Sequence, residues 1–252
     1  MKKIVAASLL LCWAVLSVAQ NYDHHFLLAG ASFAVKENGW FELVCEAFNA
    51  EPLNKAVSGE AAGNTAIAMY KGVFYTQDEL ERSDAFIIMH VHEQNVACTD
   101  SIKENYEDYT EQDLRQYHLA YDYIIKKYQD DCRNLKNNPA SRYYGTENGK
   151  PATIILCTHW HDSRTIYNNA VRKLAAKWDF PLIEWDKNIG FTKNIPDENG
   201  KQPSCRYALD TRTQADGIAY GWHPLRGKEQ YIQQKIARIC IEELEKIFGA
   251  VQ

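Results

Sequence analysis

The sequence predicts a single three-layer α/β domain, in which helices cover both faces of a parallel β-sheet. Five short, almost wholly apolar runs are typical of strands buried on both faces, and they lie at residues 26–29, 53–57, 84–91, 152–157 and 181–185. The segments between and after these runs carry apolar residues at helical spacing. A chain of 252 residues is long enough to bury one sizeable core.

Helical periodicity predicts four helices around this sheet. They span residues 39–48, 113–135, 165–178 and a last segment that ends near residue 248. Pro224 is predicted to begin the last helix because proline suits the first helical position, and His223 then lies directly before the N-terminus of this helix. Polar composition predicts loops at residues 137–149 and 191–206.

Composition and charge exclude several classes of protein. The chain has 28 basic and 33 acidic residues and a formal net charge of −5. It therefore lacks the excess of basic residues that is typical of proteins that bind nucleic acid. Its 46% hydrophobic and 24% charged residues are ordinary for a globular protein. The sequence predicts a soluble, mildly acidic domain, and it does not indicate an oligomeric state.

The first nineteen residues have the pattern of a secretory signal peptide. Lys2 and Lys3 precede an apolar stretch at residues 4–18, and Ser17-Val18-Ala19 has the small-x-small pattern of a cleavage site. We expect cleavage after Ala19, one domain over residues 20–252, no membrane span in the mature chain, and a periplasmic or extracellular location.

Six cysteines follow the predicted signal peptide, and an oxidising compartment would permit disulfides between them. Three of them lie in apolar, periodic segments and are predicted to be buried thiols: Cys45, Cys157 and Cys240. The other three lie near loops or a helix end, and any bridge is expected to use two of these: Cys98, Cys132 and Cys205. The pairing stays open.

Candidate catalytic residues lie in turns where ligands bind in such sheets, outside the carboxyl ends of the strands. Acyl transfer needs a nucleophile, a base and donors for the developing oxyanion. Ser32 would attack, and His223 would serve as base and then as acid toward the leaving alcohol. The amides of Ser32 and Gly59 and the side chain of Asn95 would hold the oxyanion. Asp216 is the nearest carboxylate that could orient His223.

These turns resemble, in order, the sequence blocks of the SGNH (GDSL-like) hydrolases, secreted esterases and lipases with a flavodoxin-like, five-stranded parallel sheet. The first block resembles LLAGASFAVKENGWFELV and would carry the nucleophile, Ser32. The second is similar to NKAVSGEAAGNT, with Gly59, and the third to DAFIIMHVHEQNV, with Asn95. The last resembles DGIAYGWHPLRGKEQYI, with His223. The resemblance spans nearly the whole mature chain.

The resemblance implies a serine ester hydrolase of the acetylesterase-like kind, which needs neither a cofactor nor a metal. The implied substrate is an O-acyl ester, with acetyl on a carbohydrate favoured. A lipase or thioesterase of the same fold is an alternative, because the acyl-enzyme chemistry is the same. A catalytically impaired carbohydrate-binding protein of the same fold is a second alternative.

The chain departs from the family pattern at three positions. Ala31 replaces the aspartate that usually precedes the nucleophile, and the third block has about two extra residues, so Gln94 competes with Asn95. Asp216 lies seven residues before His223 instead of three. If residues 219–222 loop out as an insertion, Asp216 still orients His223. Otherwise a backbone carbonyl orients His223 in a Ser–His dyad.

Aromatic and histidine side chains near these turns are candidate substrate contacts. His159, Trp160 and His161 follow the fourth predicted strand, while Tyr220 and Trp222 adjoin the predicted base and could stack on a sugar ring. Histidine pairs two residues apart would also permit a metal-dependent hydrolase. No third ligand has a recognisable spacing, so we expect no metal site.

Overall fold

The computed structural model describes residues 21–90, 102–191, 195–214 and 217–251, and a five-stranded parallel sheet lies at its centre. The strand order is β2-β1-β3-β4-β5, the flavodoxin-like order. The strands are β1 (His24–Gly30), β2 (Ala50–Asn54), β3 (Ala85–Met89), β4 (Ile154–Cys157) and β5 (Leu182–Ile183). The predicted fold class is therefore confirmed.

Helices cover both faces of the sheet and create two apolar cores. The helices are α1 (Trp40–Ala47), α2 (Ala62–Tyr70), α3 (Gln77–Arg82), α4 (Tyr117–Asn134), α5 (Thr165–Trp178), α6 (Trp185–Asn188) and α7 (Tyr231–Phe248). Along β1, Leu27 and Ala29 face the core that α2, α4 and α5 share, whereas Phe26 and Leu28 face the core of α1 and α7. This two-residue alternation, apolar on both sides, explains the continuous apolar runs in the sequence.

The predicted helix over residues 113–135 is divided in the structure. A single 3₁₀ turn at Asp113–Arg115 comes first, and α4 then runs from Tyr117 to Asn134. Gln116 between them has extended backbone, with φ −104° and ψ 131°. The helix at residues 165–178 has the predicted bounds.

The prediction that Pro224 opens the last helix is wrong, because α7 begins at Tyr231. Pro224 instead pairs with Ala208 in an isolated antiparallel bridge, and the Leu225 N–H donates to the carbonyl of Tyr207. These contacts extend an antiparallel hairpin of two short strands, β6 (Thr211–Thr213) and β7 (Ala219–Gly221). Antiparallel pairing thus holds the chain around His223 extended.

Five of the six cysteines lie in the described residues, and all five are free thiols. The predicted burial of Cys45, Cys157 and Cys240 is confirmed. Cys132 is also buried, and this burial raises the pKa of its thiol to about 11. Cys98 lies outside the described residues.

Within the described ranges, none of the helices has the length and apolar character needed to cross a lipid bilayer.

Replacing Ile87 by alanine should remove a central part of the core. Ile87 is fully buried on β3, the middle strand of the sheet. We expect Ile87→Ala to lower the free energy of unfolding by about 2–5 kcal/mol, because a cavity remains where the side chain packed. Urea denaturation provides the measurement. Ile166→Ala on α5 is the control, since that side chain is 65% exposed, and its change should stay within about 0.5 kcal/mol. Equal losses in the two variants would contradict the described packing.

Candidate active site

Ser32 and His223 meet at the carboxyl edge of the sheet. Ser32 lies in the turn that directly follows β1, and its Oγ is 2.9 Å from the Nε2 of His223. The two residues are 191 positions apart in the chain, so the fold alone brings them together. At this distance the imidazole can accept the proton of the serine hydroxyl, which is the geometry of an activated nucleophile.

Asp210 binds the other side of the His223 ring. Its Oδ1 and Oδ2 lie 3.0 and 2.9 Å from Nδ1, and the backbone N–H of His223 also donates to Oδ1 at 2.9 Å. Partial burial opposes ionisation of Asp210, but the hydrogen bonds from the backbone and ring of His223 outweigh it and lower the pKa of the carboxyl. An ionised Asp210 holds Nδ1 protonated and leaves Nε2 facing Ser32.

The hairpin sets the position of Asp210 relative to His223. Thr211 of β6 is paired with Gly221 of β7. The ladder continues for two residues, because Trp222 N–H donates to the Asp210 carbonyl at 2.9 Å and Leu209 N–H donates to the His223 carbonyl at 2.8 Å. Asp210 and His223 therefore lie almost opposite each other on adjacent strands.

Asp210 was not among the residues singled out in the sequence. Asp216, the predicted partner of His223, lies outside the described residues, and the structure places the Asp210 carboxylate on Nδ1. The expectation that residues 219–222 loop out as an insertion is wrong, since Ala219–Gly221 is β7. The dipeptide Asp216-Gly217 is a hairpin-turn signal, and it could have predicted that residues on either side of it pair.

Side-chain donors brace the turn that carries Ser32, in which Ala31 supplies no carboxylate. The carbonyls of three successive residues, 32 to 34, each accept a side-chain N–H. The donors are Asn38 Nδ2 at 2.8 Å, Trp40 Nε1 at 2.9 Å and Asn54 Nδ2 at 3.0 Å, respectively. Gly30 starts the turn, and a Cβ there would lie 2.4 Å from that of Ala34. The turn is thus held without a carboxylate.

Gly59 lies in a turn next to β1, the strand that leads to Ser32. The Val57 N–H donates to the carbonyl of Gly30 at 3.1 Å, which joins this turn to the end of β1. Gly59 has φ of +87°, and a Cβ there would meet no atom within 4 Å. The backbone at this turn is therefore exposed beside the site. Asn95 and its competitor Gln94 lie outside the described residues.

Four of the five predicted substrate-contacting side chains are buried. His159, Trp160, His161 and Tyr220 are 2%, 0%, 0% and 6% exposed. These four side chains therefore have little contact with solvent, and their predicted contact with substrate stays a prediction. Trp222 alone among the five is partly exposed.

Trp222 has aromatic and cationic neighbours. Its ring stacks with His159 at 5.8 Å between centroids, and its carbonyl accepts a hydrogen bond from Trp160 Nε1 at 3.2 Å. The guanidinium carbons of Arg164 and Arg212 lie 4.6 and 5.4 Å from its ring centre. These contacts fix the indole next to His223.

The buried histidines are poor candidates for general bases. Burial lowers the pKa of His161 to about 3, and burial together with the neighbouring His161 and Arg164 lowers that of His159 well below its usual value. In the described part of the chain, no three His, Cys, Asp or Glu side chains converge as a metal site.

Solved structures with low sequence identity have the same fold. A possible lipase from Chitinophaga pinensis is 12% identical over 90% of this chain and 99% of its own, with a TM-score of 0.55. A Lactobacillus plantarum protein is 14% identical over 90% and 98%, with a TM-score of 0.53. A member of the lipolytic G-D-S-L family from Veillonella parvula is 11% identical over 87% and 97%, with a TM-score of 0.45. The strand order and the first two of these likenesses show a flavodoxin-like α/β fold.

The chain belongs to the family described as a domain of unknown function (DUF5040), whose family model matches residues 23–248. Among curated proteins, no match is found.

Acid should destabilise the protein through its buried histidines. At pH 5.5 an unfolded histidine binds a proton, but the folded state keeps His161 neutral because its pKa is about 3. The free energy of unfolding should therefore fall as the pH drops from 7.5 to 5.5, at a limiting slope of about 1.4 kcal/mol per pH unit for each such histidine. Urea denaturation across this range should give a smaller slope for His161→Asn. Equal slopes for the two proteins would contradict the prediction.

Proposed function

We propose that this protein is a serine ester hydrolase in which Ser32 is the nucleophile, His223 the general base and Asp210 the residue that orients His223. The observation that carries the proposal is the continuous hydrogen-bonded line from Asp210 through the two ring nitrogens of His223 to Ser32 Oγ. This is the arrangement by which a neutral serine becomes a nucleophile for acyl transfer.

The reaction proceeds through an acyl-enzyme. His223 Nε2 takes the proton of Ser32 as Oγ attacks the ester carbonyl carbon, and the amides of Ser32 and Gly59 with the side chain of Asn95 hold the oxyanion. Collapse of this intermediate breaks the bond to the alcohol, which leaves with the proton from His223. Water then attacks the acyl carbon with His223 as base, and the acid and free Ser32 result. Asp210 stabilises the imidazolium in both steps.

The same proposal includes the substrate class and the location. We infer hydrolysis of an O-acyl ester, with acetyl on a carbohydrate favoured by the resemblance to acetylesterase-like SGNH sequences. The partly exposed Trp222 beside His223 supports a ring-bearing alcohol, because indoles stack on flat or ring-shaped ligands. The signal-peptide pattern of residues 1–19 supports export to the periplasm or the medium.

The three departures from the family pattern favour the alternative of a non-catalytic binding protein. Asp210 now supplies a carboxylate to His223, and the donors from Asn38, Trp40 and Asn54 supply a brace where Ala31 cannot. Two of the three departures therefore no longer favour loss of catalysis.

Ser32→Ala should abolish ester hydrolysis. We expect kcat/KM for 4-nitrophenyl acetate to fall by about 10⁴-fold or more, because the acyl-enzyme can no longer form. Absorbance of released nitrophenolate provides the measurement on the mature protein. Thr146→Ala is the matched control, since in the described part of the chain that exposed hydroxyl donates only to the carbonyl of Tyr143 in the loop before β4. Equal turnover in wild type and Ser32→Ala would rule out the nucleophile and favour the binding protein.

A pair of variants distinguishes the two carboxylates that could orient His223. Asp210→Asn should lower kcat by about 10²- to 10⁴-fold, because the amide can donate to Nδ1 and so favour the tautomer that faces Ser32 with an N–H. Asp216→Asn should keep kcat within about threefold of wild type, since Nδ1 is already bound by Asp210. A large loss in Asp216→Asn alone would reverse the assignment, and no loss in either variant would support a Ser–His dyad.

A further inference from the structure

Two arginines from separate segments converge on the indole next to His223. Arg164 ends the 3₁₀ turn Asp162–Arg164, Arg212 lies in the middle of β6, and both guanidinium groups lie over the Trp222 ring, at 4.6 and 5.4 Å. We call Arg164, Arg212 and Trp222 the cationic platform. Guanidinium groups at this distance from an indole are held by cation–π attraction.

Hydrogen bonds fix the two segments of the platform to each other. Gln214, just after β6, donates from Nε2 to Ser163 Oγ at 3.2 Å, and Ser163 Oγ donates to Gln202 Oε1 at 2.6 Å. Arg164 follows Ser163 directly in the chain, and Arg212 is two residues before Gln214. These hydrogen bonds hold the two segments that carry the arginines, so binding an additional group at the platform would cost little reorganisation.

Positive charge at this place is unusual for the chain. The protein as a whole carries a formal charge of −5, yet both platform cations lie beside the candidate active site. Arg212 is exposed, and within the described residues it has no salt-bridge partner. Two carboxylates lie close in sequence to these arginines. Asp210, two residues before Arg212, is bound to His223, and Asp162 lies in the same 3₁₀ turn as Arg164. An exposed arginine beside a reactive centre is suited to bind an anionic group.

The platform lies on the side of the site where the alcohol of the ester must lie. His223 Nε2 has to reach the leaving oxygen to protonate it, so the alcohol part extends from Ser32 toward His223. Trp222 lies between the end of β7 and His223 in the chain, and the centroids of its ring and the His223 ring are 5.8 Å apart. A ring in the alcohol part that lies beside the exposed edge of Trp222 would present its substituent to Arg212.

We propose that the cationic platform binds a carboxylate, or a comparable anion, on the alcohol part of the ester, with Arg212 in direct contact and Arg164 adding to the positive potential. The inference rests on the proposed esterase function and names its substrate class: esters of ring-bearing, anionic alcohols. Neutral esters would react through the same Ser32 chemistry at a lower kcat/KM.

The test compares two acetyl esters that differ only in charge, 4-acetoxybenzoate and 4-acetoxybenzamide. After division by their rates with hydroxide, wild type should prefer the anionic ester by about two- to fivefold in kcat/KM, the range expected for an exposed ion pair. The preference should fall in Arg212→Gln, return in part in Arg212→Lys, and shrink as salt screens the charge. Because each preference is a ratio within one protein, general damage to the site cancels.

Controls separate this contact from net charge and from packing. Arg238→Gln removes an exposed arginine on α7 that pairs with Glu242, and it should keep the full preference. A mono-succinate ester of 4-nitrophenol carries its charge on the acyl side, and Arg212→Gln should not change its rate relative to nitrophenyl acetate. An unchanged preference in Arg212→Gln would overturn the proposal, because Arg212 would then serve only to pack on Trp222.

A binding measurement distinguishes failure of this inference from failure of the esterase function. Calorimetry of the Ser32→Ala protein should show tighter binding of 4-acetoxybenzoate than of 4-acetoxybenzamide, and the difference should vanish when Arg212→Gln is added. Binding selectivity without turnover in wild type would support the platform and contradict the esterase. Turnover of both esters with no selectivity in rate or binding would support the esterase function and contradict the platform.

Discussion

The antiparallel pairing of β6 with β7 is the interaction on which the candidate site depends. It places Asp210 one position from the residue that faces His223 across the hairpin, and it holds the chain beyond β7 extended so that the imidazole reaches Ser32. Ser32 comes from the first turn of the parallel sheet, whereas His223 and Asp210 come from a two-stranded hairpin outside it. The proposed nucleophile thus follows a strand of the central sheet, whereas its proposed base and orienting carboxylate belong to an appended element.

The division between core and hairpin explains what could be predicted from the sequence. Strands such as β3 and helices such as α5 are predictable because burial on one or both faces leaves a strong periodic pattern. The helix α3 has no such pattern, yet Thr76 and Glu79 form a capping box whose sequence signature was present, with Thr76 N–H donating to Glu79 Oε2 at 2.9 Å. Signals of that kind are local and easily missed beside long apolar runs.

The site was partly predictable for the same reason. Ser32 and His223 follow from their place in turns and in the family blocks, and the structure brings their side chains together. Asp210 could not be found by spacing to His223, because its proximity comes from pairing across a hairpin and not from a short interval along the chain. Similarly, the sequence could place the aromatic residues after β4 at the carboxyl end of a strand, but their burial follows from tertiary packing, such as that of His159 on Phe33 and Trp222.

The most direct test of the central claim, that the Asp210–His223 pair activates Ser32, is reaction with a fluorophosphonate, followed by intact-mass and peptide mass spectrometry. The structure predicts one adduct per chain, mapped to Ser32, and a much slower reaction in His223→Ala. Labelling at another residue, or no labelling of a folded wild-type protein, would contradict the claim that Ser32 is an activated nucleophile.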